Sequence, residues 1–132
     1  MESFLLRIAD IGLLTFHGGL TLFNLFGWIW RKSRPANLIT LLLTGGSWFI
    51  LGLWYGLGYC PLTDWHWDVL RRLGEPTPPR SYITYVLQRL LGFSVAGPAV
   101  EQWTGILFFL ALALSLGLTI RDRLRKRRRS PC

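Results

Sequence analysis

The sequence is poor in the groups that build disulfide scaffolds and metal centres. It has two cysteines, Cys60 and Cys132, and two histidines, His17 and His66. Two cysteines give no disulfide framework, and no Cys-x-x-Cys-His segment is present to attach a haem covalently. Cys60 and His66, even with Asp64 and Asp68 beside them, do not complete a closed zinc site, so no metal site is expected. Acidic residues are scarce, seven against fifteen Lys and Arg, for a formal charge of +8. There is no internal repeat and no low-complexity stretch beyond a basic tail. A cleavable secretory signal is not indicated either. The apolar region from Ile11 to Trp30 is too long for one and ends in Trp-Ile-Trp-Arg rather than in small residues. It is expected to stay attached as a membrane anchor.

What the chain does have is apolar length. Half of its 132 residues are apolar and seven are tryptophan. Crossing the hydrocarbon core takes about 20 apolar residues, and three segments qualify: 4–30, 38–59 and 100–120. The fold class expected is therefore all-α, a single membrane domain over 1–120 with three transmembrane helices. An amphipathic outer segment, 60–98, and a polybasic tail, 121–132, complete it.

The distribution of charge argues against nucleic acid as a partner. Arg31, Lys32 and Arg34 fill the short first loop, and seven basic residues stand against Asp122 between Arg121 and Arg129. The segment 60–101 is balanced, with four Arg against Asp64, Asp68, Glu75 and Glu101. Basic residues flanking apolar runs follow the positive-inside rule. They place the first loop and the tail in the cytoplasm, and the N-terminus and residues 60–98 outside. Cys60 and Cys132 then lie on opposite sides and cannot bond. Trp28 and Trp30 mark the inner boundary; Trp54, Tyr55, Tyr59, Trp65, Trp67 and Trp103 are read as anchors at the outer one. Arg125, Lys126, Arg127 and Arg128 are expected to meet anionic lipid head groups.

Within the outer segment, Asp64 is positioned to cap a short helix through Leu73, with Asp68 and Arg72 four residues apart as a pair. The run Gly74-Glu75-Pro76-Thr77-Pro78-Pro79 reads as an extended linker. From Ser81 a second helix is expected, with Ile83, Val86, Leu87, Leu90 and Leu91 on its apolar side. Thr84, Gln88 and Arg89 lie opposite, and Gly92 is the stop. Such a helix lies in the interface or across the mouth of the bundle. Pro98 and Glu101 suit the first turn of the third span.

Polar residues inside apolar spans carry the chemical interest. Asp10, His17 and Asn24 recur every seven residues, close to two helical turns, so they share one face, and Thr21 follows His17 by one turn. That face should turn toward the other helices or a hydrated cavity. His17 is the ionisable residue well inside a span. Its readings are a neutral histidine bonding a hydroxyl such as Thr44 or Ser47, a ligand or cofactor contact, or proton transfer. In the second span Asn37, Thr40, Thr44 and Ser47 share a face, and Gly45, Gly46, Gly52 and Gly56 are small. Gly52 and Gly56, with Ala111, Ser115 and Thr119 in the third span, read as helix-packing positions. Cys60 is a weak nucleophile candidate because the sequence assures no base beside it.

His17 in the first span, Phe23 and Gly27 after it, and Tyr59-Cys60-Pro61-Leu62-Thr63 leaving the second span resemble a bacterial membrane-protein family. It is catalogued as a domain of unknown function (number 2784). The resemblance runs from the first span to the third and implies a small helical protein of the bacterial inner membrane. It implies no activity. Trp65-His66-Trp67 and the arginine-rich tail look like features of a subgroup.

Taken together these features predict a multi-pass inner-membrane protein, non-catalytic, serving as an accessory or assembly component of a membrane complex. Its expected partners are membrane lipids, other membrane subunits or further copies of itself. The alternative is a redox or lipophilic-ligand-binding protein that uses His17, Asn24 and the Cys60–His66 region around a haem or a quinone. A transporter is disfavoured, because three spans contain no inverted repeat.

Overall fold

Three helices long and apolar enough to cross a membrane form the body of the protein. The computed structural model describes residues 1–92 and 94–130, and among these there is no strand. Helix α1 covers Glu2–Phe26, α2 covers Arg34–Tyr55 and α5 covers Gly97–Arg129. Two short helices, α3 (Pro61–Arg72) and α4 (Tyr82–Leu91), lie between α2 and α5 in sequence. Cys132 and its predicted separation from Cys60 lie outside the described residues.

The tightest seam is between α2 and α5, where Leu41, Phe108 and Ala111 are buried and Trp28, Trp48 and Leu112 pack around them. Gly45 permits this approach, since a Cβ there would come within 3.3 Å of the Phe108 ring. Trp48 lies on Phe108 with ring centroids 4.6 Å apart. Elsewhere the three helices show bare leucine, isoleucine and phenylalanine to their surroundings, the surface a bilayer would cover.

The helix ends differ from the apolar runs in the sequence. Helix α1 stops at Phe26, four residues before Trp30, because Gly27 and Ser33 start the turn: the Ser33 hydroxyl donates to the Gly27 carbonyl at 2.6 Å. Helix α2 begins at Arg34, with Pro35 in its first turn where no amide hydrogen is needed. It widens into a π turn at Ser47–Leu51 and ends at Tyr55. Gly56 and Gly58 then adopt φ of +104° and +85°, values that favour glycine, and reverse the chain into α3. Helix α5 runs unbroken through the basic stretch to Arg129.

Helix α3 packs against α1, and α4 against α5, so the two short helices cap one end of the bundle. Cys60, not Asp64, is the N-cap of α3. Asp64 sits inside the first turn, exposed, and accepts a bond from the Tyr59 hydroxyl at 3.3 Å. Asp68 pairs with Arg71 rather than Arg72, one turn away on the exposed side. Ser81 caps α4 by accepting from the Thr84 amide, and Gly92 ends it. The side of α4 that carries Tyr82 and Thr84 turns inward, and Arg89 reaches from it to Asp10. Tyr82 and Thr84 are buried, while Leu90 and Leu91 stand out at 70% and 54% exposure. The reason lies in α1, where the Asp10 carboxylate needs a cationic partner.

At the opposite end Arg34 bonds Asp122 at 2.7 Å, with Arg31 at 3.7 Å from the same carboxylate. This ties the start of α2 to the tail of α5.

Candidate functional site

Asp10, His17 and Asn24 do occupy one buried face of α1, each less than a tenth exposed. They do not form one cluster. Seven residues of helix separate neighbours by about 10 Å, and each meets a different part of the protein.

Asp10 lies under the cap. Its Oδ1 accepts from His66 Nε2 at 2.7 Å and from Arg89 Nη1 at 2.8 Å, and its Oδ2 accepts from Arg89 Nη2 at 2.9 Å. His66 is fully buried, and its Nδ1 faces the Tyr82 hydroxyl at 3.2 Å. One tautomer satisfies both contacts: Nε2–H donates to the carboxylate and Nδ1 accepts from the phenol. Burial pushes the Tyr82 hydroxyl well above the ordinary phenol range, so its proton stays available to His66. Burial raises Tyr85 as well, and the bonds Arg89 donates to Asp10 raise Arg89 further above its already high value. Arg89 also bonds the Tyr85 hydroxyl. Trp67 packs edge-on against Tyr85 at 4.9 Å and beside Tyr82 at 5.5 Å. It is thus half-buried in the cap.

Tyr82 links this network to the next residue on α1. The His17 imidazole stacks on the Tyr82 ring with centroids 3.8 Å apart and planes 20° apart. His17 Nε2 faces the Cys60 sulfur at 3.9 Å, and Nδ1 is buried with no partner. The hydroxyls suggested for His17 are engaged elsewhere. Ser47 donates to the Tyr59 carbonyl at 2.8 Å. Thr44 donates to the Thr40 carbonyl at 2.9 Å and accepts from Asn24 Nδ2 at 3.0 Å.

Thr44 fixes the orientation of the Asn24 amide. With its proton spent on Thr40, its oxygen can only accept, so the Asn24 nitrogen must face it. Asn24 Oδ1 is then left as a buried acceptor without a donor.

His17 and Asn24 both line a cavity of about 330 Å³ between the three long helices. Leu20, Leu41, Trp48, Leu107, Phe108 and Ala111 supply apolar wall, with Cys60, Thr63 and Tyr82 along the cap side. Arg80 and Glu101, both exposed, stand at its rim. Gly105 also lines it, and a Cβ there would meet nothing within 4 Å. Small-molecule sites of this size, mostly apolar with a few polar groups, are typical of protein pockets.

The family described as Protein of Unknown function (DUF2784) matches residues 7–120. The chain belongs to this family. The matched stretch contains the whole cap network and the whole cavity lining, while the tail beyond Ile120 lies outside it. No curated protein and no solved structure matches the chain. The Cys-Pro-Leu-Thr element that carried the resemblance forms the first turn of α3, and both Cys60 and Thr63 line the cavity.

The remaining sequence candidates are placed as follows. Gly52 packs against the backbone of Leu57 in its own chain, and Gly56 makes the turn after α2. Ser115 is fully buried on α5, its hydroxyl without a partner. Arg125, Lys126, Arg127 and Arg128 are exposed on the last turns of α5. Arg125 and Lys126 join Arg31 and Arg34 around a basic cleft. Among the described residues no three His, Cys, Asp or Glu side chains group to hold a metal ion. The site does not suit a haem. His17 Nε2 is turned to Cys60 and one ring face is covered by Tyr82, while His66 is held between Asp10 and Tyr82.

Tyr82, Tyr85 and Arg89 were not among the residues expected to form a site. Their spacing of three and four puts them on one face of α4, and that was the available signal.

Proposed function

We propose that this protein binds a lipophilic molecule from the membrane in the cavity between α1, α2 and α5. The observation that carries this is the pair of unpartnered buried groups, His17 Nδ1 and Asn24 Oδ1, on residues lining an otherwise apolar cavity. Buried polar atoms are costly unless something bonds them. A ligand with an apolar body, an acceptor for His17 and a donor for Asn24 would satisfy both. A quinone head group or an acyl lipid meets the apolar requirement; a haem does not fit the histidine geometry. An accessory role in a larger membrane complex draws on Gly52, Gly56 and Ser115. Gly52 and Gly56 serve turns and contacts of the same chain, and Ser115 is already buried within it, so the cavity is the better-supported reading.

The setting we propose is the bacterial inner membrane, with the N-terminus and the α3–α4 cap outside. The arginine-rich end would be cytoplasmic, as the positive-inside rule requires, and the exposed Arg125–Arg128 turn would meet anionic lipid head groups.

The test is extraction and mass spectrometry of lipophiles from gently purified protein, beside a Gly105→Leu variant. The leucine would project into the cavity without striking a neighbour at Cβ, and replacing a mid-helix glycine favours the helix by about 0.5–1 kcal/mol. A defined lipophile at near-stoichiometric yield, lost in Gly105→Leu while thermal stability holds, is the expected result. Equal retention by the variant would remove the cavity as the site.

A further inference from the structure

The sequence leaves Cys60 without a base, and the fold supplies one. His17, forty-three residues earlier, brings Nε2 to 3.9 Å from Cys60 Sγ. A nucleophile and a base in mutual reach are the recurring signature of covalent catalysis, and such contacts are often long before substrate binds. Tyr82 stacks on the imidazole and holds its plane, the role that a third group plays in orienting a catalytic base.

Two further features suit the same chemistry. Cys60 is the N-cap of a twelve-residue helix, and its side chain makes no capping bond. The amides of Leu62 and Thr63 belong to the first turn, which has no intrahelical acceptors, and Pro61 contributes no amide hydrogen. These N–H groups and the helix dipole favour negative charge developing beside the sulfur. Independently, His17 is nine-tenths buried with Nδ1 unpartnered, and it lines the cavity together with Cys60. If Nε2 accepts the thiol proton, Nδ1 carries the other hydrogen and is a donor in search of an acceptor.

We propose, resting on the lipophilic-pocket reading, that Cys60 is a nucleophile and His17 its general base toward the carboxylic ester of a membrane-soluble acyl compound. The thiol proton passes to His17 Nε2 as sulfur attacks the ester carbonyl, and the oxyanion faces the amides that open α3. The carbon–oxygen bond to the alcohol then breaks, and the departing oxygen takes the proton back from His17. The products are a free alcohol and an acyl thioester on Cys60, with no oxidant or reductant required. Leu20, Leu41 and Phe108 flank an acyl chain, and Arg80 and Glu101 at the rim leave the alcohol portion near solvent or head groups.

The experiment uses the full chain in detergent with Cys132→Ser, so that Cys60 is the single thiol, and p-nitrophenyl decanoate as the acyl probe. Nitrophenolate release and intact mass are followed together. The expected result is one acyl group on Cys60, labile to hydroxylamine and absent in Cys60→Ala. Acylation should slow by about 100-fold or more in His17→Ala and recover when imidazole is added, a rescue that a packing role would not give. His17→Asn, which keeps a polar side chain of similar size, serves the same comparison if the alanine variant does not fold. Gly105→Leu should block acylation without touching the pair. Acylation at the same rate without His17 overturns the proposal, as does its absence in a protein that retains its co-purified lipophile. In that case the pocket stands and the thiol chemistry falls. A protein that neither retains a lipophile nor acylates overturns both.

Discussion

Arg89 and Asp10, seventy-nine residues apart, form a two-pronged salt bridge, Nη1 to Oδ1 at 2.8 Å and Nη2 to Oδ2 at 2.9 Å. With His66 donating to the same carboxylate, the single acidic group of α1's buried face carries three hydrogen bonds from two cap helices. Asp10 and Arg89 cancel in charge, and the neutral form of His66 fits its two partners. This lets an ionised group sit against an apolar span. The bridge therefore does two things: it holds the cap on the bundle and it decides which side of α4 faces inward.

Removing Asp10 should release the cap before it melts the bundle. Asp10→Asn leaves Arg89 without its counter-charge and is expected to cost about 3 kcal/mol, the lower end for breaking a buried pair because Arg89 is partly exposed. Arg89→Lys should cost less, about 1 kcal/mol, by losing the second prong. Thermal unfolding in detergent gives the order, and faster proteolysis in the 73–80 linker would show that α4 detaches first. A linker that stays as resistant as in the wild type would mean that other contacts hold the cap.

Alkaline stability should fall with a slope set by the cap tyrosines. Burial raises Tyr82 and Tyr85 above the usual value of 10.0. Folded protein therefore keeps these protons after the unfolded chain has released them. Below about pH 10 both states are protonated and nothing changes. Above it the unfolded state is favoured, by up to about 1.4 kcal/mol per pH unit for each tyrosine. Tyr85→Phe should make the decline above pH 10 shallower, read from denaturation midpoints. An unchanged slope would show that Tyr85 ionises as freely folded as unfolded.

The spans were legible because apolar length is a local property, and so was the shared face of Asp10, His17 and Asn24, because helical period follows from spacing. The partners of that face were not. Thr44 was foreseen on a neighbouring helix but pairs with Asn24, one step along α1 from His17. Arg89 was placed opposite the apolar stripe of α4, but spacing alone does not say that this side meets Asp10. A helix at a membrane boundary can show Leu90 and Leu91 outward and its arginine inward when a buried carboxylate waits there. The meeting of His17 with Cys60 depends on the chain reversing at Gly56 and Gly58, where residue pattern carries no direction. Helix ends were missed for a similar reason, since hydropathy does not distinguish Gly27–Trp30 in a turn from the same residues in a span.

Orientation can be read by thiol labelling in whole cells. With Cys60→Ala and Cys132→Ser as background, Glu75→Cys and Lys32→Cys each place the single thiol of the protein, exposed, at opposite ends of the bundle. An impermeant maleimide is expected to reach Glu75→Cys in intact cells and Lys32→Cys only after the membrane is opened. The reverse pattern would put the arginine-rich end outside, against the positive-inside rule.

Gly27 should be the least tolerant glycine of the chain. Asn37, fully buried, donates from Nδ2 to the Phe23 carbonyl at 2.6 Å, beside the bond that this oxygen already accepts from the Gly27 amide at 2.7 Å. A Cβ on residue 27 would lie 2.7 Å from Asn37 Nδ2 and 2.6 Å from the carbonyl itself, so neither can stay. Gly27→Ala is therefore expected to destabilise by about 2 kcal/mol, the cost of stranding the buried Asn37 amide and straining the turn around it. Asn37→Ala removes the same bond from the other side and should cost a similar amount. The two substitutions act on one contact, so the double variant should fall well short of their sum. Additive losses in thermal unfolding would mean that Gly27 is needed for the turn itself and not for the bond from Asn37.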